Sequence, residues 1–530
     1  MSRTIRRGGV VAGALGLMAG SVVVDATPSA AAASGVHVIS SAAGGGTSTS
    51  LANGVVSTSI SLGSPVDAAY DPYGNVVIAD QDNNVIRVVA ASTGTFYGQA
   101  MTAGRIYTIV GDGNAGYSGD TVPKSSRVPN PLLAAELDDP NGVAVDAQGD
   151  IAIADTGNDA VRFVPAVGGI RFGLFMTVGE IYTIAGGGSG QGNETFSAGL
   201  AEPDGIAFNP SGDVIVADTD NSVVRLIPEA AHTEYGRSLQ PTVIYTLAGI
   251  YGAYGYTGNG GPGYNAQVSL EPFGGIAVDP AGDVALSDSD NEVVRLVAAK
   301  TGSYHGRGVV AGDIYTIVGN TNEAFKGDKK PALSASLDTP QGLAYDGAGN
   351  LYIADSANNM IRYVPAANGS YDGKAVKGGD IYTVVGKGPM GASGDGGAGS
   401  AAELNDPAGI EMGANGRLLV SDGGNDKIRQ IVPPSPGVSA VKPTSGPIAG
   451  GKKVTIKGVN LEGVTAVYFG SRPAAGFTVR NDQKIVATSP VGSLGTVVIR
   501  VVSPAGTSVA SGAGAYRYAV TAAKKHARRR

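Results

Sequence analysis

Carboxylates hold the clearest chemical potential in this 530-residue chain. Asp139, Glu202, Glu271 and Asp406 each stand immediately before a proline that recurs along the sequence. Glu411 occupies a position filled elsewhere by Ala144, Ala207, Ala277 and Ala344. Oxygen ligands of this kind suit a hard cation such as Ca²⁺; the competing reading is a set of solvated loop acids, with Glu411 paired to a nearby base. Other chemistries are poorly supplied. Cysteine is absent, which excludes a disulfide framework, a thiol nucleophile and a thiolate metal site. The four histidines, His37, His232, His305 and His526, neither recur at equivalent positions nor sit at metal-ligand spacing, and they read as solvated loop or strand residues. A G-x-G-x-x-G match, GDGNAG from Gly111, has no helix behind it to supply the amides of a phosphate cradle. No nucleophile elbow is present. No cofactor is expected, Ca²⁺ at these acids excepted.

The elements that must position these residues follow from a repeat. The segment DTGNDAVR from Asp155 has near-copies from Asp80, Asp218, Asp288, Asp355 and Asp422, spaced 63 to 75 residues apart. Each unit carries three apolar runs of strand length separated by turn residues, as in GVAVD from Gly142, IAIAD from Ile151 and AVRFV from Ala160. A fourth run, IYTIVG from Ile106, recurs from Ile181, Ile244, Ile314 and Ile381. Four short strands per unit describe a propeller blade. Six units but only five fourth strands leave the last blade one short. Val36–Ser40, followed by glycines much like those after Ile181, is expected to fill that place and close the ring. The repeated Asp, Asn and Arg are expected to satisfy the backbone of the turn between second and third strands.

The pattern P-x-G, apolar strand, D-x-x-G-D/N, apolar strand ending in A-D, then N-x-x-I/V-R resembles the NHL repeat over residues 34–433. Asp67 stands where the first copy should have Gly, and Gly413 where the last should have Asp. After a linker at 434–437, residues 438–520 resemble the IPT/TIG family at Pro443, Ser445-Gly446-Pro447, Gly450-Gly451, Gly458, Asn460, Phe469-Gly470, Ala487 and Pro490. The expected fold is therefore all-β: a six-bladed propeller followed by an immunoglobulin-like β-sandwich. The first resemblance also implies a look at the channel mouth, because propellers of this type include lyases and lactonases with a metal there. The residues entering the inner strands are Val66, Asn141, Asp204, Phe273, Gln341 and Ala408, which adds Asp204 to the candidate acids. On the opposite face, Phe96-Tyr97, Phe172, Tyr235, Tyr304 and Tyr371 either offer rings to a glycan or cover the ends of their own blades.

Residues 1–33 read as a signal peptide, with Arg3, Arg6 and Arg7 ahead of an apolar stretch and small residues at Ala30–Ala33; an uncleaved anchor is the competing reading. The expected location is outside the cell or on its envelope, with an extracellular protein or envelope glycan as partner and no nucleic acid. No later segment is expected to cross a membrane. Charge is divided along the chain. Residues 436–519 hold nine Lys and Arg against Glu462 and Asp482, and the tail 521–530 adds Lys524, Lys525, Arg528, Arg529 and Arg530. The net charge of −7 thus hides an acidic propeller and a basic C-terminal part, which suits contact with an anionic envelope surface. The role expected is a non-catalytic binding or scaffold protein, the alternative a cation-dependent lyase or hydrolase working at the channel mouth.

Overall fold

A computed structural model describes residues 36–47, 51–118, 131–187, 198–461, 463–481, 483–503 and 506–520; the expected signal segment and the basic tail lie outside the described residues. Among the described residues every regular element is a strand or a short 3-10 turn. Six antiparallel sheets follow the repeat. In the second, Pro140–Val145, Ile151–Asp155, Ala160–Val164 and Tyr182–Gly186 pair in order from inner to outer strand. The two middle strands of this blade are buried along their whole length. They read as continuous apolar runs because a propeller blade is covered on both faces by its neighbours.

Each inner strand touches the inner strand of the next blade, and Pro65–Tyr70 of the first touches Pro407–Met412 of the sixth, so the ring is closed. Its last outer strand comes from the other end of the chain. Val38–Gly44 pairs antiparallel with Lys427–Val432, from Val38 opposite Val432 to Gly44 opposite Lys427, with a bulge after Ser41. The closing strand therefore exists as expected but is shifted from Val36–Ser40, beginning at Val38 and running on to Gly44. Ala43 extends it because its side chain is buried in the seam with Leu419, Ile428, Ala68 and Ile78.

The hydrophobic core is not central but lies between blades, in six clusters. One joins Val77 and Val88 of the first blade to Ile151 and Ile153 of the second, and equivalent clusters join each successive pair around to the sixth and first. Burying each such Val or Ile contributes about 1.5–3 kcal/mol, so adjacency of blades, not the single blade, holds the fold. The segments between third and outer strands of the first five blades form two-stranded ribbons, for example His232–Glu234 with Arg237–Leu239. Each turns through a positive-φ residue: Tyr97, Phe172, Tyr235, His305 or Asp372. The sixth blade lacks a ribbon because its third strand leads into the linker.

Beyond it, Gly437–Lys442, Lys453–Val459, Lys484–Thr488 and Gly476–Asn481 form one sheet, and Ala515–Ala519, Gly495–Ser503 and Ala466–Phe469 the centre of a second. Val454, Ile456, Phe469, Ile485, Ile499, Tyr516 and Tyr518 fill the space between them.

Candidate functional site

The inner strands surround a cavity of about 180 Å³. Glycines at Gly142, Gly205, Gly342 and Gly409 let the strands approach there: a Cβ on Gly205 would lie 2.1 Å from the Gly274 carbonyl oxygen, and one on Gly342 2.2 Å from that of Ala408. Three carboxylates face this narrow space, Asp67, Asp204 and Glu411. Asp67, the departure from the Gly pattern, accepts N–H bonds from Ala68 (2.9 Å) and from Val143 of the next blade (3.1 Å). Enclosure by the strands pushes its pKa up to about 7. Among the described residues Glu411 has no ion-pair partner of the kind expected. Burial, then the charge of Asp67, push it up to about 8. Asp204 accepts from Asn141 Nδ2 (2.5 Å) and from the Phe273 N–H (3.2 Å), and burial raises it to about 6. One buried oxygen in the same lining, Asn141 Oδ1, lacks a hydrogen-bond partner among the described residues.

The structure thus brings Asp204 and Glu411 to the channel together with Asp67, which the sequence pattern did not single out as a ligand. It places the other four candidates outside the channel lining. Asp139, Glu202 and Asp406 are exposed on the rim with φ of +47°, +46° and +51°. Their backbones, not their carboxylates, do the repeated task. The N–H of Asp139 donates to Asn84 (2.9 Å), that of Glu202 to Asp159 (3.0 Å) and that of Asp406 to Asn359 (2.9 Å), each acceptor belonging to the preceding blade. Glu271 is half-buried, and a shared hydrogen bond with Asp290 pushes it up to about 7.

The Asp, Asn and Arg of the repeat form a structural cluster in every blade. Asp155 accepts from Asn158 Nδ2 (3.0 Å), from Arg162 Nη1 (2.9 Å) and from the N–H of Asp138 (2.8 Å). Its backbone partner is the segment entering the inner strand, not the second-to-third-strand turn that the sequence pointed to. The arginine is fully buried, a charge that only a partnered carboxylate makes tolerable.

The ribbon aromatics do not form an exposed platform. Phe172, Tyr235 and Tyr304 are buried, and they seal the seams to the next blade as well as their own blade ends. Tyr235 Oη donates to the Gly282 carbonyl (2.9 Å), and Tyr304 Oη lies 2.8 Å from Tyr345 Oη. Among the exposed tyrosines, three cluster between the third and fourth blades, Tyr254, Tyr256 and Tyr264, apart from Tyr73 and Tyr117 elsewhere. Of the histidines, His526 lies outside the described residues, His305 is exposed on its turn as expected, and His37 and His232 are only partly exposed. His37 stacks on Tyr371 with ring centroids 4.4 Å apart, and His305 on Tyr304 at 4.1 Å. His232 meets Asp213 and Glu234, the one group of three metal-capable side chains among the described residues with ligand atoms within 4.8 Å of one another. His232 and Glu234, two apart on a strand, share a face, but Asp213 joins them only in the folded blade.

Comparison with known proteins bears on the repeats and the sandwich. The model of the NHL repeat matches residues 137–162 and 200–225, and that of the IPT/TIG domain residues 436–518. The Arabidopsis thaliana protein SUPPRESSOR OF QUENCHING 1, chloroplastic, is 24% identical over 308 residues, which are 56% of this chain and 25% of that one; the chain spans about a quarter of that relative. Among solved structures, a Bacteroides thetaiotaomicron protein of unknown function shares 13% identity at a TM-score of 0.47, over 74% of this chain and 75% of that one. An auxiliary nutrient binding protein from the same organism shares 13% at a TM-score of 0.45, over 74% and 76%. Repeat pattern, ring of sheets and family models agree: the chain carries NHL repeats in an all-β propeller and an IPT/TIG domain after it.

Proposed function

We propose that this chain is a non-catalytic binding protein working outside the cell, its propeller engaging a protein or glycan and its basic sandwich serving as spacer or attachment module. The observation that carries this reading is the tyrosine-rich segment between the third and fourth blades. Tyr254, Tyr256 and Tyr264 are 55%, 39% and 45% exposed, beside Ile250. Two of these rings are fixed by their hydroxyls: Tyr254 Oη donates to the Asp220 carbonyl (3.0 Å), and Tyr256 Oη lies 2.7 Å from Thr316 Oγ1. Arg237 sits over the Tyr264 ring at 4.8 Å. Rings held in place while their faces meet water are preorganised contact surface, so little entropy is lost when a partner covers them. The test is retention of the full chain on envelope preparations and on purified wall polysaccharide, compared with Tyr254→Ala/Tyr264→Ala. Reduced retention of the double variant is expected; equal retention refutes the assignment. Attachment through the basic part predicts, in addition, retention that weakens as salt rises.

The channel favours a second reading, a cation-dependent lyase or hydrolase. Asp204 and Glu411, with Asp67 and the unpartnered Asn141 oxygen, supply hard oxygen donors in a confined space. The rim acids Asp139, Glu202, Glu271 and Asp406 would then guide a cation inward by charge alone. Calcium titration of the parent and of Glu411→Gln decides it: saturable binding lost in the variant supports this reading, and no saturable binding removes it.

A further inference from the structure

The third blade departs from the other ribbon-bearing blades at two facing positions, and both departures point to a metal ion. The ribbon residue that is Gly94, Gly169, Gly302 and Gly369 in the first, second, fourth and fifth blades is His232 in the third. Two residues on, where those blades have Phe96, Arg171, Tyr304 and Tyr371, stands Glu234. Both face the acid that ends the turn between inner and second strands, Asp213. The second blade compensates such an acid directly, since Arg171 forms an ion pair with Asp150. The third blade instead sets a carboxylate against a carboxylate. Asp213 is fully buried and Glu234 nearly so, an arrangement that costs free energy unless a cation lies between them.

The histidine is held as a ligand would be. His232 Nδ1 lies 3.0 Å from the Ala230 carbonyl, which can only accept, so that nitrogen carries the proton. Nε2 is turned inward, 3.1 Å from Asp213 Oδ2 and 3.5 Å from Glu234 Oε2, yet is aligned for a hydrogen bond with neither. Zinc bonds of about 2.0–2.1 Å at tetrahedral angles put neighbouring ligand atoms about 3.3 Å apart, between these two distances. The carboxylates are themselves fixed: Asn209 Nδ2 donates to Asp213 Oδ2 (3.0 Å) and to Glu234 Oε2 (2.9 Å), and the Glu229 N–H donates to Asp213 Oδ1 (3.0 Å). Such second contacts orient metal ligands. His232, a quarter exposed, leaves an entry path on its solvent side.

We propose that Asp213, His232 and Glu234 form a binding site for a divalent transition-metal ion, Zn²⁺ above all, with a fourth position open to solvent. One imidazole and two carboxylates match the ligands zinc takes, whereas Ca²⁺ takes oxygen alone. The ion would clip the outer ribbon of the third blade to the turn beneath it, independently of the central channel.

The experiment is calorimetric titration of the untagged full chain, stripped by chelator, with zinc chloride, alongside His232→Ala, Glu234→Gln and the channel variant Glu411→Gln. Cobalt absorption gives a second readout, because intense visible bands report coordination at the site. One saturable zinc site is expected in the parent and in Glu411→Gln. Each of the other two variants should bind at least about 100-fold more weakly, beyond the ~10–100-fold typical of an outer contact, and lose the cobalt bands. Absence of saturable binding to the parent overturns the proposal, and so does binding that survives both ligand substitutions. Loss of zinc binding in Glu411→Gln alone would also overturn it, by moving the site to the channel.

Discussion

Glu411→Gln tests whether the channel carboxylates are held against their charge. Burial and the neighbouring Asp67 push Glu411 from an ordinary 4.5 to about 8, so the folded chain prefers the protonated form. The sign follows from proton linkage. Between about pH 4.5 and 8 the folded state binds more protons at this residue than the unfolded state, and stability therefore falls as pH rises through that window. At about 1.36 kcal/mol per pH unit the full span is worth about 5 kcal/mol. Glu411 keeps contact with the water-sized channel, and that solvation relieves part of the cost, leaving about 2–5 kcal/mol. Glutamine fills nearly the same volume without the charge. The variant should match the parent near pH 5 and exceed it by about 2–5 kcal/mol at pH 9, in urea unfolding followed by far-UV circular dichroism. Asp67, raised to about 7, remains in both proteins, so the variant should keep a shallower fall between pH 4 and 7. Parallel pH profiles of parent and variant would show that Glu411 is charged and solvated in the folded state, and the reasoning would fail.

The closing strand offers a second test: Ile39 is fully buried against the fifth and sixth blades, so Ile39→Ala should cost about 2–5 kcal/mol in urea unfolding, and removal of residues 36–44 should yield a chain that aggregates. Arg362→Met leaves Asp355, its partner at 2.8 Å, charged and buried; a loss of about 3–5 kcal/mol is expected, with part of it recovered in Arg362→Met/Asp355→Asn by the same measurement. Gly249 has φ of +94°, and a Cβ there would lie 2.3 Å from the Ser222 carbonyl oxygen, so Gly249→Ala should lower the melting temperature by an amount equivalent to more than about 1 kcal/mol.

The fold was legible because a propeller is written locally. Each blade forms from strands close in sequence, and the apolar runs, the D-x-x-G-D/N turns and the count of outer strands constrain six blades and their closure without reference to distant contacts. What could not be read was any side chain whose partner belongs to another blade or another layer. The Val38–Gly44 strand was placed but its end was not, since Ala43 owes its position to the seam with the first and sixth blades. Asp67 looked like a fault in a repeat; closure of the ring sets it beside Glu411 of the adjacent sixth blade in the channel lining, while Asp139, Glu202 and Asp406, more conspicuous in the sequence, stay on the rim as bearers of a backbone donor. His232 carried no metal spacing along the chain, because its partner Asp213 lies on a turn that meets the ribbon only when the blade folds. Periodicity fixes backbones that repeat, whereas chemistry arises at positions that break the repeat, and which of those meet is decided by how the sheets pack around the axis.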